Sequence, residues 1–286
     1  MRRYSKRFYD RIRGGSLQSA RELVPLLLKC FSPRAVIDVG CGVGTWLSVV
    51  RELGVEEVWG VDGPWVDRGL LEIPQDRFVT FDLTKPFRMD VQFDLVLALE
   101  VAEHLPEDSA PTFVDSVTSL GPLVLFSAAI PFQGGDRHIN EQWPDYWATL
   151  FNKRGYVVVD CIRKLIWNNP KVEWWYSQNA LVYVRRDVLE HNEFLRREFE
   201  STCVSQLSIV HPTKYLSLSD PRKLALRLLA SRVPLALWYK CGHRLEALLS
   251  RMRQLGRGLA NHLPFGRDRA QRNAGPRRNR SGGAAS

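Results

Sequence analysis

The sequence predicts an α/β protein whose core is a parallel sheet covered by helices on both faces. Seven short apolar runs, rich in Val, Leu and Ile, alternate with longer amphipathic stretches. Strands buried on both faces and their crossover helices give that alternation. A glycine-rich turn follows the first run and opens a helical stretch, which is where open α/β sheets hold ligands.

Taken in order, residues 1–31 read as a helical lead-in, with Leu23, Leu26, Leu27 and Cys30 at helical spacing. The expected strands are Ala35–Val39, Glu57–Val61, Phe78–Phe81, Phe93–Leu99, Leu123–Ala128, Tyr156–Cys161 and Ala180–Val184. Helices are expected over Trp46–Leu53, Ala110–Leu120 and Trp143–Arg154, and no internal repeat is present. After Arg186 the pattern changes. A charged helix over Val188–Glu200 leads through a Ser/Thr-containing connector to two basic amphipathic stretches, around Pro221–Ala230 and Arg244–Ala260. The expected organisation is therefore 1–31, a body over 32–187, a helical basic extension over 188–262 and a tail over 263–286. That tail is rich in Arg, Asn, Gly and Ser, too polar to order itself.

Composition narrows the class. The chain has 286 residues, 45% hydrophobic and 25% charged, as ordinary soluble proteins do. Its five cysteines are scattered with no CxxC pair, which excludes a disulfide framework and a zinc ribbon and suits a reducing compartment. No apolar core follows MRRYSKRFYD and no run is long enough to span a bilayer, so a cytoplasmic location is expected. The net charge of +9 is unevenly placed. Residues 221–286 carry 15 basic and 2 acidic side chains (+13), while the first 220 carry 25 and 29 (−4). Such asymmetry marks an interaction arm. A basic helix there could pack on its own domain, dock a protein or lie on an anionic membrane, so peripheral contact is expected through 221–262. Phosphate contacts to RNA are a further use of such charge, although no RNA-binding module is recognisable.

The turn itself, "VIDVGCGVGTW", places Gly40, Gly42 and Gly44 between a strand and a helix. Glycines let the backbone turn sharply and approach a ligand, and the helix start offers unpaired N–H groups. Dinucleotide folds use G-x-G-x-x-G against a pyrophosphate. Here the spacing is G-x-G-x-G, and Asp38 precedes the first glycine by two positions. A carboxylate there repels a pyrophosphate but suits a cationic ligand, such as the sulfonium and ammonium of S-adenosylmethionine. This disfavours a nicotinamide dehydrogenase. Asp62 ends the second expected strand, 18 positions after Gly44, where it can accept from ribose hydroxyls, and Asp82 ends the third, where it can accept from an adenine amino group. Each feature alone is as easily a tight turn, a helix cap or a turn former.

Together, "VIDVGCGVGTW", "VWGVDG", "FVTFDL" and "FDLVLALEVAEHL" resemble, in order and spacing, the four cofactor motifs of class I S-adenosylmethionine-dependent methyltransferases. The resemblance covers about Ser32 to Arg186. It implies a Rossmann-like seven-stranded sheet, helices on both faces, with its last strand antiparallel. By it, Asp38, Gly40, Cys41, Gly42 and Gly44 hold the methionine moiety, Asp62 with Gly63 the ribose, and Asp82 with Leu83 the adenine, while Glu100 borders the cofactor. "LFSAAIPFQGGDRHINEQWPDYW" and "NNPKVEWWYSQNALVYV" resemble a bacterial branch found among glycan and natural-product tailoring enzymes.

Transfer to a hydroxyl needs alignment plus a general base or a metal. The fourth expected strand ends in Leu97-Ala98-Leu99-Glu100 rather than Asp/Asn-Pro-Pro-Tyr, which disfavours methylation of base amino groups. Glu100, Glu103 and His104 in "EVAEHL", with His138 in "GDRHINEQW", are expected on one rim. Two carboxylates and two imidazoles could hold a divalent cation, magnesium or manganese, that acidifies a hydroxyl. This pattern resembles the metal site of small-RNA 2′-hydroxyl methyltransferases. Without a metal, His104 or His138 is the candidate base, with Glu103 beside it; a cap and a packed imidazole are the structural alternative. Trp143, Tyr146, Trp147, Trp167, Trp174, Trp175 and Tyr176, interleaved with amides, suit a sugar, although Trp147 and Trp174 also suit a core. The expected activity is O-methylation of a glycan or other hydroxylated metabolite. The alternatives are metal-dependent RNA 2′-O-methylation and a cofactor-binding but inactive partner in a glycan-assembly complex.

Overall fold

The computed structural model describes residues 6–220 and Tyr239, and residues 6–220 lie within one compact unit. The expected basic stretches Pro221–Ala230 and Arg244–Ala260, and the tail 263–286, fall outside the described residues. In chain order the elements are α1 (Lys6–Phe31), β1 (Ala35–Val39), α2 (Thr45–Glu52), β2 (Glu57–Asp62), β3 (Phe78–Thr80), β4 (Leu95–Leu99), α3 (Ala110–Leu120), β5 (Leu123–Ser127), α4 (Pro144–Asn152), β6 (Tyr156–Val159), α5 (Arg163–Ile166), α6 (Trp174–Asn179), β7 (Leu181–Arg185), α7 (Arg186–His191), α8 (Glu193–Glu200) and α9 (Pro212–Ser219). All seven expected strands are present, each within two residues of its expected ends.

The strands form one sheet in the order β3-β2-β1-β4-β5-β7-β6. The first five pair in parallel, and β7 runs antiparallel to both β5 and β6. The antiparallel last strand is the one expected. Successive residues of β1 feed opposite cores, Val36 packing with Leu23 and Leu47 of α1 and α2, Ile37 with Phe113 and Val117 of α3. Burial on both faces explains why these strands are apolar without alternation.

The differences have local causes. β4 starts at Leu95 because Asp94 turns aside: its Oδ2 accepts from the backbone N of Arg34 (2.8 Å) and Ala35 (3.1 Å). β3 stops at Thr80, two residues before Asp82, whose Oδ1 accepts from Thr84 N (3.0 Å) and Thr84 Oγ1 (2.7 Å) and so closes a turn. The single charged helix expected over Val188–Glu200 is two helices. Asn192 is extended (φ −122°, ψ 107°), and its side chain accepts from Leu195 N to cap α8. Residues 188–220, set apart in the sequence reading, pack on this same unit: Leu189, Leu195 and Leu207 are buried in its two cores. Among the described residues no helix is long and apolar enough to cross a membrane, and Cys30, Cys41, Cys161 and Cys203 are free thiols.

Candidate active site

The carboxyl ends of β1, β2, β4 and β5 form one edge, with two groups of side chains along it. The first group surrounds the glycine turn. Gly40, Gly42 and Gly44 all have positive φ (90°, 56° and 86°), a region open to glycine at little cost. Gly40 also has no room for a side chain, since a Cβ would lie 2.4 Å from Val101 Cγ2. Asp62 ties the turn to the second strand: its Oδ2 accepts from Gly42 N (2.7 Å) and its Oδ1 from Gly63 N (2.6 Å). The Trp65 ring lies against Gly63, where a Cβ would come within 2.2 Å of it.

Asp38, 2% exposed, is buried beside Asp62. Burial first, then the Asp62 charge, push its carboxyl from 3.8 up to about 8. Burial likewise raises Asp62, against the two backbone N–H groups that lower it, and Cys41 is held a thiol by burial and by both aspartates. Two buried acids with no cation partner among the described residues, over a turn whose Gly40 admits no side chain, fit a cationic ligand. Asp82 is exposed, and its hydrogen bonds to Thr84 hold its carboxyl below the usual range. Leu83 beside it is buried in the core with Val61 and Ala102.

The second group lies beyond β4 and β5. Glu103 and His104 share a single 3-10 turn, Ala102–His104. The segment after β5 is stitched to that turn, since Ile139 N (2.9 Å) and Asn140 N (3.0 Å) both donate to Glu103 O. The rings of His104 and His138 meet edge to face with centroids 4.9 Å apart. Glu103, His104 and His138 each offer one ligand atom, all within 4.8 Å of one another. Neither oxygen of the fully buried Glu103 carboxyl, nor His104 Nδ1, has a well-formed hydrogen bond. Burial, then Glu100 nearby, pushes Glu103 well above the carboxylate range. Burial, then His138, drives His104 down to about 4, so its imidazole is neutral at physiological pH. One carboxylate oxygen and two imidazole nitrogens this close together fit a divalent cation of the magnesium, manganese or zinc kind. A neutral His104 is a better ligand than proton acceptor.

Glu100, the fourth candidate, lies near Glu103 but does not supply one of the three converging ligand atoms. It sits in the left-handed region (φ 51°), a strained choice for a residue other than glycine. Its Oε1 accepts from Asn179 Nδ2 (3.1 Å) and its Oε2 from Gln133 Nε2 (3.2 Å). Gln178 completes this buried cluster by donating to Gln133 Oε1 (3.1 Å) and Asn179 Oδ1 (2.9 Å). Sequence reading missed Gln133. Its position after β5, on the same edge as Asn179 before the antiparallel β7, is the signal that could have found it.

Glu141, which lies within "GDRHINEQW", is given a definite task by the structure. Its Oε2 accepts from Phe132 N (2.8 Å), and its Oε1 from Gly134 N (2.7 Å) and His138 Nδ1 (3.0 Å). With Nδ1 donating, His138 keeps Nε2 as an acceptor, the tautomer that a ligand or base needs. Gly135 leaves that nitrogen room: a Cβ there would lie 2.1 Å from His138 Nε2.

The aromatic residues do not gather into one platform. Trp147 is core, its ring 5.1 Å from Phe126. Trp46 meets the buried Tyr176 (5.1 Å), Trp174 meets Trp175 (5.6 Å), and Trp167 packs on His211 (4.8 Å). Among the described residues, Trp143 alone of the tryptophans is exposed, at 39%. Beside it, Glu107, Asp108 and Tyr146 line an open cavity of about 550 Å³.

A family model described as a methyltransferase domain matches residues 9–177, more than half of the chain. A ubiquinone biosynthesis O-methyltransferase of Rhodopseudomonas palustris (strain BisB18) is 28% identical over 127 residues, 42% of this chain and 45% of that protein. The chain thus spans under half the length of this curated relative. Among solved structures, the magnesium protoporphyrin IX methyltransferase of Synechocystis PCC 6803 with bound S-adenosylmethionine aligns at 20% identity with a TM-score of 0.45, over 61% of this chain and 81% of that one. An O-methyltransferase family protein from Burkholderia thailandensis aligns at 15% identity and a TM-score of 0.45, over 63% and 60%.

Proposed function

Because the chain belongs to the methyltransferase-domain family, we propose that it is an S-adenosylmethionine-dependent O-methyltransferase of a glycan or another hydroxylated small molecule. Asp38 and the Gly40–Gly44 turn would hold the cationic methionine end, Asp62 with Gly63 the ribose, and Asp82 with Leu83 the adenine. Thr84 occupies only Oδ1 of Asp82, which leaves Oδ2 for an amino group. When bound, the cofactor supplies an electrophilic methyl group. The chain supplies alignment and a place for the acceptor's proton.

The observation that carries the reading is the approach of Glu103, His104 and His138 to within 4.8 Å on the rim. His138 Nε2 takes the hydroxyl proton, and the Glu141 carboxylate, bonded to Nδ1, stabilises the imidazolium that results. A second reading rests on the same cluster: Glu103, His104 and His138 would hold a divalent cation, which would lower the hydroxyl pKa, as a metal-dependent 2′-hydroxyl methylation of RNA would need. Labelled methyl transfer to a panel of sugars, polyols, phenols and short RNAs, with and without EDTA, separates the two. Transfer to a hydroxyl that survives chelation supports the histidine base. Activity lost to EDTA and restored by magnesium or manganese supports the cation. Methyl found only on nitrogen, or none transferred while cofactor binds, overturns the proposal and, in the second case, leaves a binding partner without turnover.

A further inference from the structure

The segment after β5 bears apolar side chains pointed at solvent. Phe132 is 79% exposed and Ile139 64%, both within the stretch that brings His138 to the rim. Their exposure is built rather than frayed. Phe132 and Arg137 have positive φ (66° and 62°), with Gly134 (67°) between them, and Glu141 fastens the backbone N–H groups of Phe132 and Gly134. A bulky side chain in the left-handed region persists only where its surroundings impose it. A second element continues the surface. Lys214 of α9 donates from Nζ to the carbonyl of Gln133 (2.5 Å), the residue next to Phe132, and its neighbours Tyr215 and Leu216 are 61% and 45% exposed. The chain beyond α9 begins the 66 residues that carry 15 basic and 2 acidic side chains.

We propose that this rim is a membrane-docking face: Phe132, Ile139, Tyr215 and Leu216 enter the headgroup boundary of a bilayer, and the strongly basic sequence after position 220 argues that this bilayer is anionic. Apolar tips on a chain that also carries a Lys/Arg-rich segment supply the two signals that interfacial binding requires, since each alone gives weak attachment. A polyanion such as RNA would use the basic residues but would leave Phe132 and Ile139 without a role. Docking would present the catalytic edge to acceptors held at that surface. The inference rests on exposure and charge, and stands or falls apart from the reading of the catalytic residues.

The test is sedimentation of the full chain with phosphatidylglycerol–phosphatidylcholine vesicles, and with phosphatidylcholine alone. The wild type is expected to bind the anionic vesicles far more tightly. A Phe132→Ser, Ile139→Ser double variant should bind at least about tenfold more weakly, as loss of two buried apolar side chains implies, with its melting temperature and cofactor affinity unchanged. If that variant does not fold, Ile139→Ser alone carries the comparison. Vesicle binding equal to wild type would assign attachment to the basic region alone and overturn the docking face. So would a wild type that ignores anionic vesicles, or a variant that changes the monomer–dimer balance instead, which would make a second copy the occupant.

Discussion

The two ends of the catalytic edge are held together by different means. Around Gly40–Gly44 the fastening is backbone: the N–H groups of Gly40 and Cys41 reach Val61 O, that of Gly42 reaches Asp62, and glycine dihedrals set the path. Around His138 it is side chain, with one carboxylate of Glu141 taking three donors and the amides of Gln133 and Asn179 holding Glu100. A backbone-built site tolerates no added atom, whereas a side-chain-built site tolerates chain but not a change of charge. On the proposed function, the first would bind a ligand common to the family, and the second would be free to vary with the acceptor.

Gly40→Ala should show the largest effect. It combines a left-handed φ with a Cβ 2.4 Å from Val101, so a loss of roughly 2–4 kcal/mol in stability is expected, together with loss of cofactor binding by calorimetry. Gly134→Ala on the other side has φ 67° but nothing within 4 Å, and should cost about 1 kcal/mol with cofactor affinity intact. Equal damage from both would end the contrast.

Glu103→Gln comes next, and should separate stability from activity. An acid whose pKa is raised by folding loses stability as pH climbs above its unfolded value. Removing that charge should therefore raise the melting temperature at pH 8, while turnover falls on the order of 10²–10⁴-fold on the cation reading, where Glu103 is a ligand, and far less where His138 alone is the base. A variant that melts earlier but turns over normally would make Glu103 a structural acid. Glu141→Gln should act more gently. Its amide would face Phe132 N or a neighbouring donor, so His138 loses its orienting charge, and kcat should drop about 10–100-fold with cofactor affinity unchanged. Loss of affinity instead would tie the two ends together.

The same division decides what could be read from the chain. Glycine spacing, β-branched runs and acids at strand ends are local, so the sheet and the turn were legible, while the antiparallel last strand was expected only from the resemblance to the methyltransferase family. Asp38 and Asp62 were found because each lies at the carboxyl end of its strand, beside the glycine turn. The rim was legible only in part. Glu103, His104 and His138 were picked out and do converge, but Glu100, three positions before Glu103, turns to the amides. Nothing in "ALEVAEH" announces a glutamate at φ 51°, since that strain depends on Gln133 and Asn179, residues 33 and 79 positions away. The break at Asn192 was missed for a different reason: periodicity describes both helices equally, and only the capping bond to Leu195 divides them.

The smallest effect is the most specific to the backbone-built end. In the protein without ligand, Asp38 holds its proton up to about pH 8, because burial and Asp62 disfavour its charge. Protons bound by the folded state in excess of the unfolded state make stability fall as pH rises between 3.8 and about 8. A cationic ligand reverses the preference and must release that proton on binding. Affinity for S-adenosylmethionine should therefore rise with pH, by at most about tenfold per pH unit, and level off near pH 8. Calorimetry in buffers of different ionisation enthalpy should count close to one proton released below that point. Asp38→Asn should bind more weakly, with a profile made flat by the missing carboxyl. Should the wild-type profile be as flat as the variant's, Asp38 does not face the charge of the ligand, and the turn alone would have to account for binding.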